Sequence, residues 1–210
     1  MYTLYDVENW NRKHTYEFFL GFDDPYVDGT ANIDITPLYD YCKKKGLGFG
    51  YATLWVAGKL CNEIENLRLR IVDGELRLYD QVNLGQTLGH PDGSYTHCFL
   101  QYYADIDEFC TKAKAHATER LKYPGEHDER SSGMDVIHSS IVRWIHFTSI
   151  KNPRMNKQDH IPKLMIGKAE EDFRGRLMMP VSLSVHHALA DGYHMGLFYN
   201  GYQKIVDSFR

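Results

Sequence analysis

Near the C-terminus a strand-like segment, Met178 to Val185, runs directly into His186-His187-Ala188-Leu189-Ala190-Asp191-Gly192, and a helix-like segment follows. This junction constrains the chain more than any other stretch. A lone histidine is more often satisfied by hydrogen bonds in a core, but one at a strand-to-helix junction can face a cleft. Imidazole titrates near neutrality, so it can remove a proton from a weak nucleophile. Asp191, four residues after His187 and next to Gly192, has the character of a helix N-cap. His187, Asp191 and His194 also have the i, i+4, i+7 spacing of a zinc-binding helix face. A helix that begins only after Asp191 takes His187 off that face, so no metal ligand set is expected.

The rest of the chain reads as strands and helices in alternation. Thr36-Pro37 with Gly46 predicts a short helix with a threonine N-cap and a glycine stop. Ala52 to Ile64 is apolar nearly all round and predicts a buried helix. Leu67 to Val72 and Leu76 to Tyr79 alternate around Asp73-Gly74, which predicts a hairpin with a tight turn. Further strands are expected at Tyr95–Tyr103, Asp135–Ser140, Ile145–Ile150, Pro162–Lys168 and Arg176–Val185. A helix with an acidic first turn is expected from Asp105 to about Leu121, and a polar loop from Tyr123 to Gly133. Met195, Phe198, Tyr202, Ile205 and Phe209 make one apolar stripe on a final helix. The sum is an α+β chain: a mixed β-sheet with helices packed on it, in a single domain covering 1–210.

Composition excludes some partners. A net charge of -4 with well-mixed signs offers no basic stripe for nucleic acid. The first ten residues hold no apolar block of a secretory signal, and no stretch is apolar enough to span a membrane. Cys42, Cys61, Cys98 and Cys110 sit in apolar segments without metal-type spacing, as buried free thiols in a reducing cytoplasm would.

The HHxxxDG run resembles the signature of the chloramphenicol acetyltransferase family. An ordered set of other segments extends the resemblance over nearly the whole chain. Trp10-Asn11-Arg12 with Tyr16 to Phe19 is similar to the family's WxR segment and the aromatics after it. Ile33-Asp34-Ile35-Thr36, the hairpin from Leu69 to Asp80, Ser140 four residues before Trp144, and Met179-Pro180-Val181-Ser182 complete the match. The resemblance implies a two-layer α/β sandwich of the CoA-dependent acyltransferase type. It also implies acetyl-CoA-dependent transfer of acetyl to a hydroxyl of chloramphenicol or a related small alcohol.

In that reading His187 is the general base and Ser140 donates to the oxyanion, whereas without the resemblance Ser140 is a strand-end serine bonded to backbone. Arg12 and Asp191 form an ion pair that braces the histidine loop. Trp144 lines the coenzyme A channel, although by itself it reads equally as a buried indole. Phe18, Phe19, Thr96 and Met165 face the acceptor, with Thr96 where the family has phenylalanine and Met165 in place of a threonine. These exchanges, with Asp23 and Asp24 nearby, favour a smaller or more hydrophilic alcohol. The family is a homotrimer with its sites between subunits, and the same is expected here. Two rivals remain at this stage: a dihydrolipoamide-type acyltransferase, whose lipoyl and linker segments are missing, and a non-catalytic member that binds ligand.

Overall fold

Ten strands and five helices follow one another in the computed structural model, which describes residues 1–210. They are β1 (Tyr2–Leu4), α1 (Lys13–Leu20), β2 (Tyr26–Asp34), α2 (Thr36–Lys45), α3 (Phe49–Glu63), β3 (Leu69–Val72), β4 (Glu75–Tyr79) and β5 (Asn83–Gly89). After these come β6 (Tyr95–Leu100), α4 (Ile106–Arg120), β7 (Val136–Val142), β8 (Lys163–Gly167), β9 (Glu170–Glu171), β10 (Leu177–His186) and α5 (Gly192–Asp207). Seven strands build the main sheet in the order β2-β10-β8-β7-β5-β6, with β9 beside β10. It is mixed: β7 runs parallel to both β5 and β8, and the other pairs are antiparallel.

Alternation along the strands sends Leu84, Ile137, Leu164, Ile166, Val181, Leu183 and Val185 to one face. There they form one buried cluster with Leu54 and Leu60 of α3, Phe109 of α4, and Phe198 and Tyr202 of α5. Helices thus cover one face only, which makes the two-layer α+β architecture the sequence implies. On the other face the segment after β7 folds back over β8 and β10. Its Phe147 presses so closely on Gly167 that a Cβ there would lie 2.8 Å from the phenyl ring and 2.5 Å from Pro180. The strand expected at Ile145–Ile150 is therefore absent. Phe147 spends its apolar ring on the sheet face instead of a ladder, and beyond Ile145 the segment takes up no strand pairing.

The hairpin forms as the Asp-Gly turn requires, with φ of 53° at Asp73 and 80° at Gly74. It belongs, however, to a separate small sheet ordered β1-β4-β3. Leu69 and Leu76 of that sheet pack with Tyr16 of α1 and with Ala188 and Leu189, just after His187. The small sheet is therefore a buttress for the turn that carries His187. Arg70 on β3 is fully buried and gives hydrogen bonds to the carbonyls of Leu67, Leu69, Met134 and Val136. It ties the hairpin to the start of β7.

Helix boundaries follow their caps. Gly46 ends α2 at φ 70°, and Asp105 caps α4 through the Glu108 amide. Thr36 is not the N-cap of α2 but its first residue. The Asp34 carboxylate takes the Thr36 amide and hydroxyl, while the Thr36 hydroxyl oxygen accepts from Leu177 on β10. The strand expected to reach Tyr103 stops at Leu100. β1, α1, β2, β5 and β9 have no counterpart among the sequence-derived elements.

Candidate active site

β10 ends at His186 and α5 begins at Gly192, so His187 sits on the tight turn between them. The Leu189 and Ala190 amides close this turn on the His186 carbonyl, at 2.9 and 3.1 Å. The His187 amide is held by the Pro25 carbonyl at 2.7 Å. Its imidazole stacks on Phe19 of α1, with ring centroids 3.9 Å apart and planes 8° from parallel. Nδ1 is enclosed and has no partner within the chain. Nε2, the other ring nitrogen, is not enclosed in this way.

Arg12, just ahead of α1, reaches the turn from behind. Its Nη1 pairs with the Asp191 carboxylate and its Nη2 lies 3.4 Å from the His187 carbonyl. Asp191 also caps α5, accepting from the Tyr193 amide at 2.9 Å. His194, one turn on, places Nδ1 2.9 Å from the same carboxylate and 3.2 Å from the Asp191 amide, completing a capping box. Burial pushes the Asp191 carboxyl up, but the Arg12 and His194 contacts outweigh it and hold it down at about 2. His186 faces the other way. It is buried, with Nε2 3.1 Å from the Lys157 carbonyl, and burial lowers its pKa.

Phe18 and Phe19 are joined by Phe22 in an aromatic trio with centroids 4.9–5.1 Å apart. Phe18 and Phe22 are exposed, so an apolar pad flanks His187. The acids beside this pad do not make it anionic. Asp23 meets Lys157 at 3.6 Å, and Asp24 meets Lys151 at 3.1 Å and Arg154 at 3.8 Å.

Ser140 and Met165 belong to a second group. Thr87, Ser140, Met165 and Ser182 stand in register across β5, β7, β8 and β10 on the face without helices. Ser140 is partly exposed, and its hydroxyl makes no hydrogen bond to backbone. Ser182 lies five residues before His187 on the same chain, and Ser140 is two strands away from it. With strands about 4.8 Å apart and a rise of about 3.3 Å per residue, Ser140 and His187 of one chain are roughly 15–20 Å apart. One chain does not bring the two together.

Beside Ser140 a cavity of about 910 Å³ opens between the N-terminal ends of α2 and α3 and the ends of β5, β7 and β8. Trp144, Arg143 and Lys168 line it together with Ile141, Thr87 and Phe49. Trp144 is 67% exposed, so it is a surface indole and not a core one. Thr96 stands apart from both groups. It shares a sheet face with the core residues Cys98 and Leu100 and is fully buried. Its hydroxyl is taken up by His90 at 2.8 Å and the Tyr123 carbonyl at 3.3 Å.

His194, weighed in the sequence only as a metal ligand, and Phe22 and Pro25 are the site residues whose part here sequence reasoning missed. The i, i+3 spacing of Asp191 and His194 at a helix start is a capping-box signal and could have found one of them. The other two have no signal outside the folded contacts.

A one-sided mixed sheet whose last strand delivers a histidine to the start of a C-terminal helix is the fold of CoA-dependent acyltransferases. The catalytic core of the 2-oxoacid dehydrogenase multienzyme complex from Thermoplasma acidophilum superposes with a TM-score of 0.70 at 16% identity, covering 95% of this chain and 93% of that one. At that identity the likeness is one of fold. The family model for chloramphenicol acetyltransferase matches residues 1–203, and the chain belongs to the chloramphenicol acetyltransferase family. A solved chloramphenicol acetyltransferase superposes with a TM-score of 0.88 at 28% identity, over 98% of this chain and 100% of the other. Chloramphenicol acetyltransferase 3 of Escherichia coli is 27% identical over 209 residues, 99% of this chain and 98% of that relative.

Proposed function

We propose that the chain is an acetyl-CoA-dependent O-acetyltransferase acting on chloramphenicol or a closely related alcohol, with His187 as general base. The observation that carries this is the fixed imidazole. Its backbone is locked by Pro25, its ring lies on Phe19, and its enclosed Nδ1 leaves Nε2 to act. Nε2 takes the proton of the acceptor hydroxyl as its oxygen attacks the acetyl thioester carbon. The carbonyl oxygen gains charge that a hydroxyl donor such as Ser140 stabilises, a contribution of roughly 3 kcal/mol. Collapse breaks the carbon–sulfur bond, releasing coenzyme A and the acetyl ester, and the proton on His187 goes to the leaving sulfur.

The separation of Ser140 from His187 within one chain supports a shared site. One copy supplies His187 and its aromatic pad, and the next supplies Ser140, Met165 and the cavity beside Trp144. Closed repetition of that contact gives a ring, and the homotrimer implied by the family resemblance is the assembly proposed. The cavity suits acetyl-CoA: apolar walls for the pantetheine arm, an exposed indole, and Arg143 and Lys168 for phosphate charge. The apolar Phe18-Phe19-Phe22 pad suits an aromatic acceptor better than a charged one. Thr96, with its hydroxyl already satisfied, has no part in this pocket. No helix is long and apolar enough to cross a membrane, and the four buried free cysteines fit a reducing, cytoplasmic setting.

The test is release of coenzyme A thiol from acetyl-CoA with chloramphenicol as acceptor. Release that disappears in His187→Ala, with acetyl-CoA still bound, is the expected result. Release unchanged in His187→Ala removes His187 as the base, and no release with any alcohol removes the activity.

A further inference from the structure

The segment that folds over the open sheet face carries a cation with no part in the reaction described so far. The Arg154 side chain is only 8% exposed. Its guanidinium lies 4.0 Å from the centroid of the Tyr26 ring, gives a 2.5 Å bond to Asp28, and approaches Asp24 at 3.8 Å. Asp28 in turn accepts from the Ser184 hydroxyl, which also takes the Asn152 amide at 3.2 Å. Burial pushes the Asp28 carboxyl up, but Arg154 and Ser184 outweigh it and hold it below the usual carboxylate range.

These contacts converge on the backbone that holds the histidine pair. Tyr26 stands opposite His186 in the ladder, and their rings meet edge to face at 5.3 Å. The Tyr26 hydroxyl bonds the Asn156 carbonyl at 2.6 Å, and His186 Nε2 bonds the Lys157 carbonyl one residue further on. Pro25, one residue before Tyr26, supplies the carbonyl for the His187 amide. The links from Arg154 to His187 are thus ring contacts, hydrogen bonds and the Pro25–Tyr26 peptide bond.

We infer that Arg154 is a positioning residue for His187, acting through Tyr26, Asp28 and the Pro25 carbonyl. It clamps the His186–His187 backbone from the side opposite Arg12 and Asp191. The planar guanidinium matters here, because it stacks on Tyr26 while pairing with the carboxylates at its edge. A lysine keeps the charge but not that geometry. The inference rests on His187 being the general base.

The experiment compares Arg154→Met, Arg154→Lys and Asp28→Asn in the full chain by steady-state kinetics, with acetyl-CoA binding as the check on folding. A misplacement of about 1 Å can cost roughly a hundredfold in rate, so Arg154→Met is expected to lose about ten- to a hundredfold in kcat. The KM for acetyl-CoA is expected to stay within about twofold, and Arg154→Lys to recover part of the loss, because only the ring position is disturbed. Asp28→Asn is expected to fall the same way and to add nothing to Arg154→Met. A folded Arg154→Met with wild-type kcat overturns the inference, as does a loss of stability with both constants unchanged. Should Arg154→Met bind no acetyl-CoA, Asp28→Asn decides: it keeps the side chain's shape and removes the charge that pairs with Arg154, and unchanged kcat sinks the idea. If the wild-type chain transfers no acetyl group, it is the reading of the activity that fails. The His187 ring nitrogen shifts, compared between wild type and Arg154→Lys by NMR, still test the positioning: a shift supports it and identity overturns it.

Discussion

The Phe19 ring lies flat on the His187 imidazole at a centroid distance of 3.9 Å. A contact this parallel fixes the plane of the imidazole, and with it the direction of Nε2. Aromatic pairs contribute about 0.5–1.5 kcal/mol beyond the area they bury. Phe19→Leu keeps an apolar side chain and removes the stack. The expected result is a kcat lower by about three- to tenfold with KM for acetyl-CoA unchanged. Thiol-release kinetics measure it, and an unaltered kcat would make Phe19 a packing residue only.

Asp191 does three jobs at once: it pairs with Arg12, caps α5 and receives His194. Arg12→Met removes one of these, and Asp191→Ala removes all three while leaving a half-buried guanidinium without its partner. Breaking such a pair from one side costs about 3–5 kcal/mol when fully buried. At 15% and 26% side-chain exposure the cost is discounted, to about 2–3 kcal/mol for Asp191→Ala and less for Arg12→Met. The carboxyl titrates at about 2 here, against about 3.9 in an unfolded chain. Its stabilisation is therefore complete above about pH 4 and lost as the pH falls toward 2. Urea unfolding of both variants at neutral pH orders them, and equal stabilities would refute the threefold role.

How much of this was legible beforehand depends on where each signal resides. The hairpin at Asp73-Gly74, the α2 stop at Gly46 and the acidic first turn of α4 are local chemistry, and the structure has them where the sequence puts them. β5 was not legible. Its residues Gly85, Gln86 and Thr87 carry no apolar alternation. Gly85 is there because the Ser131 carbonyl approaches so closely that a Cβ would lie 2.8 Å from it. Ile145–Ile150 misled in the opposite sense, since its alternation reflects Phe147 packing down on Gly167. In the site, His187, Asp191 and Arg12 could be read from motif and resemblance together. Arg154 could not, because an arginine in a polar loop acquires meaning only when Asp28 and Tyr26 are folded against it.

The buried His160 and the half-buried His138 set the acid limit of the fold. Burial, with Lys163 beside one and Arg70 near the other, lowers His138 and His160 to about 4. In the unfolded chain they titrate near 6.5, so between those values the unfolded state binds the extra protons. Stability is full above about pH 6.5 and declines as the pH falls toward 4, by on the order of 1–2 kcal/mol for each histidine at pH 5. Denaturant midpoints at pH 7.5 and 5 are expected to differ accordingly, with a smaller difference in His160→Gln. A flat profile would show that neither ring is kept neutral by the fold.

The distance between Ser140 and His187 leads to a test that needs no structure. If each site takes His187 from one copy and Ser140 from the next, then His187→Ala and Ser140→Ala trimers are each impaired at every site. Dissociating the two and reassembling them together creates some interfaces where an intact His187 meets an intact Ser140. With random mixing at equal amounts, about one interface in four is of this kind, because each partner is intact half the time. Activity is expected to rise to about a quarter of wild type, well above either parent. If instead both residues worked within one copy, every site would keep its own lesion and mixing would restore nothing. Recovery near a quarter thus supports the shared site, and activity no higher than the mean of the two parents rejects it.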